Sequence, residues 1–264
     1  MTTMMRAALL VGSLFVHKGL SQGLTTTTIP WVGSSTTSTT ITPCTGPATV
    51  VIQTPLPVPT CPTPIKPTPC GVLPDCKAEG LNIDYYHNPV GGYSSGNVPS
   101  SYYITEGLTP LDSSLTNITF FPQDIAPINP ERETNGGIIV NANNFTLVYS
   151  GFYRAPATGV FNICSSADNE NDIFFGRGNA FNCGTGEPSP DEQPLVISRG
   201  GNYVNPDSCV DVYLVEGAYY PIRNVMGNWA GPSAFRFTIR APNAQQPTND
   251  FSGSVYPASC TWFF

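Results

Sequence analysis

From residue 76 onward, apolar and polar positions alternate over short runs that Gly, Asn or Pro then interrupts. The clearest run is "AFRFTIR" at 234–240, where Phe235, Phe237 and Ile239 take one side of an extended chain and Ala234, Arg236, Thr238 and Arg240 the other. Comparable period-two or short buried runs are "GIIV", "NFTLVYSGFYR", "GVFNICSS", "DIFFG", "PLVIS" and "CVDVYLVEGAYYPIRNVM". No window carries a long apolar stripe at the helical period. Asn135-Gly136-Gly137, Ala157-Thr158-Gly159 and Arg199-Gly200-Gly201 stand where hairpins need residues tolerant of positive φ. The pattern predicts one all-β domain over 76–264, a sandwich or a barrel with its own core.

Residues 22–75 follow no such period. More than half are Thr, Ser or Pro, and Lys66 is the one charge between Gln22 and Asp75. Such a stretch cannot bury a core. It reads as a disordered Ser/Thr/Pro-rich spacer, stiffened by proline and dense in sites for O-glycans; a plain linker is the simpler alternative. Ahead of it, Arg6, the apolar run Ala7–Val16 and the small residues Gly19 and Ser21 predict a signal peptide over 1–21. That run is about half the roughly 20 residues that span a bilayer, so membrane insertion is not expected.

Secretion agrees with eight cysteines, an even number without a paired C-x-x-C, and makes disulfides the default reading. Cys76 and Cys260 flank the folded part and could tie its ends together. Only 11% of residues are charged and the net charge is −7, with no Lys/Arg run, which argues against nucleic acid or an anionic membrane as partner. Two sequons, at Asn117 and Asn144, offer N-glycans that would help to keep so weakly charged a surface in solution. The apolar tip of "SVYPASCTWFF" is too short for a lipid-anchor tail. A secreted, extracellular or cell-wall location is expected; no feature specifies an oligomeric state.

The chemistry available is narrow. His17 lies in the leader, so His87 is the one histidine of the mature chain, and catalysis that leans on His has little to use. Asp168, Glu170, Asp172, Asp211 and Glu216 could furnish a glycosidase pair, but the Asn-rich surroundings of Asp168 read as hydrated rather than as the apolar pocket a general acid needs. No enzymatic activity is expected. A hard cation suits "SSADNENDIFFG" better, because Ca2+ takes six to eight oxygens from carboxylates, amides and carbonyls. Asp168 and Asn169 could serve one ion only if adjacent side chains turned to the same side, which an ordinary strand forbids. A second oxygen-rich turn lies in "NWAGP", at Asn228, Trp229, Ala230, Gly231 and Pro232. Either stretch alone reads as a wet turn; the case rests on both together.

Three blocks, "GLNIDYYHNP", "YSGFYRAPATGVFNICSSADNENDIFFGRGNAF" and "VYLVEGAYYPIRNVMGNWAGPSAFRFTI", in this order and at this spacing, resemble the GLEYA domains of fungal adhesins, relatives of flocculins and epithelial adhesins in the protective-antigen-like β-sandwich superfamily. The family's five-letter namesake is absent. The resemblance covers about 80–240. It implies an antiparallel β-sandwich with long ligand-binding loops and a calcium-dependent lectin. It also implies a first loop whose adjacent acidic pair, here Asp168 and Asn169, is joined by a cis peptide, and a second loop supplying Asn228 and the carbonyls of Ala230 and Pro232. Trp229 would stack on a sugar face. The implied partners are cell-surface or cell-wall glycans ending in hexoses such as galactose, mannose or N-acetylglucosamine. Asn169 replaces a second Asp, which lowers the charge offered to the ion. A calcium-free structural module, or a binder using another face, is the competing expectation.

Overall fold

The computed structural model describes residues 24–31, 35–41, 48–55, 62–71, 76–88, 100–123, 131–200 and 207–260. The expected signal peptide, Cys44, Cys61, Gly201 and the C-terminal tip lie outside the described residues. Two compact units are present, Met1–Pro62 and Thr63–Phe264.

In the first unit, β1 (Thr25–Trp31), β2 (Thr37–Ile41) and β3 (Thr49–Pro55) form a three-stranded sheet in the order β1-β3-β2. Threonine's β-branched side chain favours the extended backbone. None of the described side chains on these strands is buried. Among the described residues these three strands, in the stretch expected to be unstructured, pair without burying a side chain.

The second unit is built from β4 (Leu81–Tyr86), a single helical turn α1 (Tyr102–Thr105), β5 (Asp112–Thr116), β6 (Phe120–Phe121), β7 (Glu131–Glu133) and β8 (Ile139–Asn141), then β9 (Asn144–Arg154), β10 (Gly159–Phe175), β11 (Val196–Gly200), β12 (Ser208–Leu214), β13 (Tyr219–Trp229), β14 (Ala234–Arg240) and β15 (Val255–Pro257). Two antiparallel layers share β10. Its first part pairs with β12 and with β14, which carries β6 on its far side. Its last part pairs with β11 and with β13, beyond which lie β9, β4 and β5, while β15 continues the edge of β9 where β4 ends. Strand β10 thus passes from the small layer to the large one.

Between the layers lies the main core: Phe161 and Ile163 from the first part of β10, Ile173 and Phe175 from its last, with Phe145, Leu147, Tyr149, Ile222, Met226, Phe235 and Phe237 from neighbouring strands. The other face of the large layer is covered too. Val148, Phe152, Phe174 and Val225 pack there under Tyr102, Tyr103 and Phe181. Arg223 is buried on this face, donating from Nε to the Ala180 carbonyl at 3.1 Å and lying 3.6 Å over the Phe174 ring. With both faces covered, β9 and β13 read as nearly continuous apolar runs, and clean alternation survives at β14, whose Arg236 and Arg240 are exposed. Gly151 (φ 155°) lets β15 approach, since a Cβ there would meet the Tyr256 carbonyl oxygen at 2.3 Å.

Three disulfides occur among the described residues: Cys70–Cys183, Cys76–Cys260 and Cys164–Cys209. The second ties the ends as expected. The first belongs to a Pro-rich strap within the expected spacer, 22–75. Ile65 N–H donates to the Asp211 carbonyl at 3.0 Å, Tyr213 N–H to the Ile65 carbonyl at 2.7 Å, and Cys70 N–H to the Tyr219 carbonyl at 2.8 Å. The second compact unit, Thr63–Phe264, includes these residues, which satisfy the backbone edge of β12 and enter the disulfide framework.

Candidate functional site

Asp168 is the last residue of β10 in register with the small layer, opposite Ala234, whereas Asn169 faces Gly200 and Glu170 faces Gly227 in the large layer. The strand changes layers at the Asp168–Asn169 bond, and this peptide is cis. The acidic cluster is therefore no wet turn. Asp168 is 4% exposed, and Glu170, Asn171 and Asp172 are buried, because layers cover the strand on both sides. The Asp168 carboxylate accepts from Asn169 Nδ2 at 3.0 Å and from Gln123 Nε2 at 3.5 Å.

The second loop begins where β13 ends. Trp229 N–H donates to Asn169 Oδ1 at 2.7 Å, which joins "NWAGP" to the cluster. Because a backbone N–H can only donate, it also fixes which end of the Asn169 amide is oxygen. Asn228 is fully buried; its Nδ2 donates to the carbonyls of Ala142 at 3.0 Å and Ala230 at 2.9 Å. Its Oδ1 is buried with no hydrogen-bond partner among the described residues. Ala230 takes φ 60°, unusual for a residue with a Cβ, and its N–H donates to the Asn143 carbonyl at 2.8 Å. The Gly231–Pro232 bond is also cis. Trp229 is 37% exposed.

Several residues that position the site carry no sequence signal. Arg132 Nη1 donates to the Ser233 carbonyl and to Ser233 Oγ, both at 2.6 Å, and its Nη2 donates to the Pro122 carbonyl, so one guanidinium pins the end of the second loop beside Gln123. Asn88 Nδ2 donates to the Asn228 carbonyl at 3.3 Å, and Asn88 N–H to Asn144 Oδ1 at 2.8 Å. Only the turn-flanking position of such residues could have hinted at a role.

Of the remaining predicted residues, Asn117 is half-buried and lies just before β6. Asn144 is 8% exposed and opposes Trp229 in the β9–β13 pair. The other carboxylates disperse. Glu170 Oε1 accepts from Arg199 Nε at 2.9 Å. Burial, and after it the Glu170 charge, push Asp172 up to about 7. Asp211 lies on β12 and Glu216 in the turn after it.

The two loops joined by the Trp229–Asn169 bond carry one carboxylate, two side-chain amides and turn carbonyls. Among the described residues no group of three or more His, Cys, Asp or Glu gathers as a metal cluster, so any ion here would rest mainly on neutral oxygens.

Residues 145–241 match the family model described as the GLEYA domain. This segment is similar to GLEYA domains. It begins within β9 and ends just past β14, and so contains both halves of the site. Flocculation proteins FLO1 and FLO10 of Saccharomyces cerevisiae are each 26% identical to this chain, over 130 and 125 residues, which is 46% of this chain in both cases. The chain spans about a tenth of those curated relatives, 8% of FLO1 and 11% of FLO10. Among solved structures, the Epithelial Adhesin 9 A domain from Candida glabrata, in complex with Galβ1-3GlcNAc, superposes with a TM-score of 0.62 at 25% identity, covering 74% of this chain and 96% of that one. The PA14 domain of the MpAFP antifreeze protein shares the fold alone, with a TM-score of 0.50 at 11% identity over 76% of this chain and 100% of that one. Outside the matched segment lie the Pro-rich strap and the Cys76–Cys260 disulfide, while Cys70–Cys183 joins the strap to it.

Proposed function

We propose that this chain is a lectin-type adhesin module that binds terminal sugars of cell-surface or cell-wall glycans through a calcium ion at the β10 crossover. The observation that carries the reading is the buried, unpartnered Oδ1 of Asn228, whose own amide nitrogen is fully engaged. A buried acceptor without a donor costs about 1–3 kcal/mol, which a cation would offset. Asp168, Asn169, Asn228 and the carbonyls of Ala230 and Pro232 would hold the ion, and calcium's tolerance of mixed, neutral oxygens suits them. When bound, it would offer open coordination positions to two adjacent sugar hydroxyls.

The chain's own residues do the rest. Asn169 braces the two halves of the site through Trp229 N–H, Arg132 holds the second loop, and the half-exposed Trp229 ring presents an apolar face to the sugar. Similarity to a solved adhesin domain bound to a galactosyl disaccharide supports glycans as the ligand class. The Ser/Thr/Pro segment would project the module from a cell wall, in keeping with an extracellular location. No catalytic step is proposed for the dispersed carboxylates.

The test is binding to a glycan array in calcium and in EDTA, for the wild-type chain and for Asp168→Ala. Binding lost in EDTA and in the variant supports the proposal. Binding that survives both overturns the calcium mechanism and leaves a calcium-free module. A melting temperature that calcium does not raise points the same way, since a ligand stabilises only the state it binds.

A further inference from the structure

We propose that the outer face of the small layer carries a second saccharide subsite, independent of metal, built on Asp211, Asn162 and Arg240. Register places the three in one row across β12, β10 and β14, with Asn162 opposite both Asp211 and Arg240. Asn162 lies between the core residues Phe161 and Ile163, so its side chain takes the face away from the core.

The row floors a depression of about 280 Å3, walled by Val160, Pro242, Asn243 and Ala244. That is just below the ~300–1,000 Å3 usual for small-molecule pockets and suits a single pyranose ring. The wall is a built feature. The turn carrying it closes with Ala244 N–H on the Ala241 carbonyl at 3.1 Å, and Asn243 adopts φ 65° at its tip. It seats against Gly159, where a Cβ would lie 2.8 Å from Pro242 Cγ, so only glycine leaves room for it.

The polar groups are matched to hydroxyls. Asn162 Nδ2 donates to Asp211 Oδ1 at 2.8 Å, orienting the carboxylate and leaving Oδ2 without a partner among the described residues. The exposed Arg240 guanidinium makes no ion pair or hydrogen bond among the described residues. One acceptor and one fork of donors thus stand about 10 Å apart, two interstrand spacings. Their charges cancel, so a neutral ligand presenting both donors and acceptors fits better than an anion or a cation. Val160, Pro242 and Ala244 supply apolar surface for the C–H face of a ring. A neutral hexopyranose meets all three requirements.

Asn162 precedes Asp168 on the same strand by about 20 Å of extended chain. The two sites would lie far enough apart for one domain to hold two glycans at once.

The experiment is a backbone amide NMR titration of the full chain in EDTA, with D-galactose, D-mannose or N-acetyl-D-glucosamine added singly. The expected result is shifts confined to Asn162, Asp211 and the Arg240–Ala244 turn, saturating near 1 mM as weak single-sugar sites do, and equal in Asp168→Ala. Asp211→Asn, which keeps the shape of the row, should weaken them, and Asp211→Ala with Arg240→Ala should abolish them while the remaining amide spectrum is unchanged. No shift at these residues with any of the three sugars, shifts confined elsewhere, or shifts that persist in the double variant would overturn the proposal. Because the wild-type titration is run without calcium, its outcome is separate from that of the calcium site.

Discussion

Trp229 N–H donates to Asn169 Oδ1 at 2.7 Å while Asn169 Nδ2 donates to Asp168 Oδ1 at 3.0 Å, so one neutral amide bridges two loops and a carboxylate. An aspartate at this position would keep the Trp229 bond, lose the donor to Asp168 and place two like charges side by side. Asn169→Asp is expected to melt lower in EDTA and higher in calcium than the wild-type chain. The calcium affinity should rise about tenfold or more, since an added unit charge close to the ion is worth well over 1.4 kcal/mol. Calorimetric titration checks it; an unchanged affinity would place the Asn169 side chain outside the coordination.

Asn228 holds the carbonyls of Ala142 and Ala230 and leaves its own Oδ1 unpaired. Asn228→Ala should cost roughly 2–4 kcal/mol in urea unfolding, from two buried carbonyls left without donors and the lost volume. In the same variant calcium should no longer raise the melting temperature. Full stability in EDTA together with a normal calcium response would contradict both roles.

Asp172 is buried beside Glu170, and burial foremost pushes its carboxyl from the usual range to about 7. The native state therefore holds a proton on this group that the unfolded chain has released, between about pH 4 and pH 7. Over that window its contribution to stability falls as pH rises, and above pH 7 the full cost of a buried charge is present. Asp172→Asn should raise the melting temperature at pH 8 and converge on the wild type near pH 4. Denaturation curves across that range measure it, and a pH-independent difference would show that Asp172 stays ionised in the fold.

Asn144 Oδ1 accepts from Asn88 N–H at 2.8 Å and the residue is 8% exposed, whereas Asn117 is half-buried. Peptide mass spectrometry after enzymatic deglycosylation in heavy water should find the isotopic mark at Asn117 and none at Asn144. Quantitative marking at Asn144 in folded, secreted protein would show that the end of β9 opens to admit a glycan.

Local patterning by itself determined the all-β class and several strands to the residue. β14 at Ala234–Arg240 coincides with the alternating run "AFRFTIR" and β9 at Asn144–Arg154 with the short buried run "NFTLVYSGFYR", because alternation, and a short aromatic and β-branched run between turn residues, are both written into neighbouring positions. Composition likewise marked the coreless Ser/Thr/Pro stretch, and resemblance marked Asp168, Asn169 and Asn228 as the residues to watch. Tertiary structure alone decided that "GVFNICSS" and "DIFFG" are one strand, that the acids between them are buried, and that the Pro-rich strap belongs to the fold. Alternation cannot report a strand that changes layers, since its inward side is redefined at the crossover. Nor can it bring Asn169 to Trp229, or Gln123, Arg132 and Asn88 to the site, because those contacts depend on the register of β9, β10, β13 and β14, which is settled by packing between residues far apart in the chain.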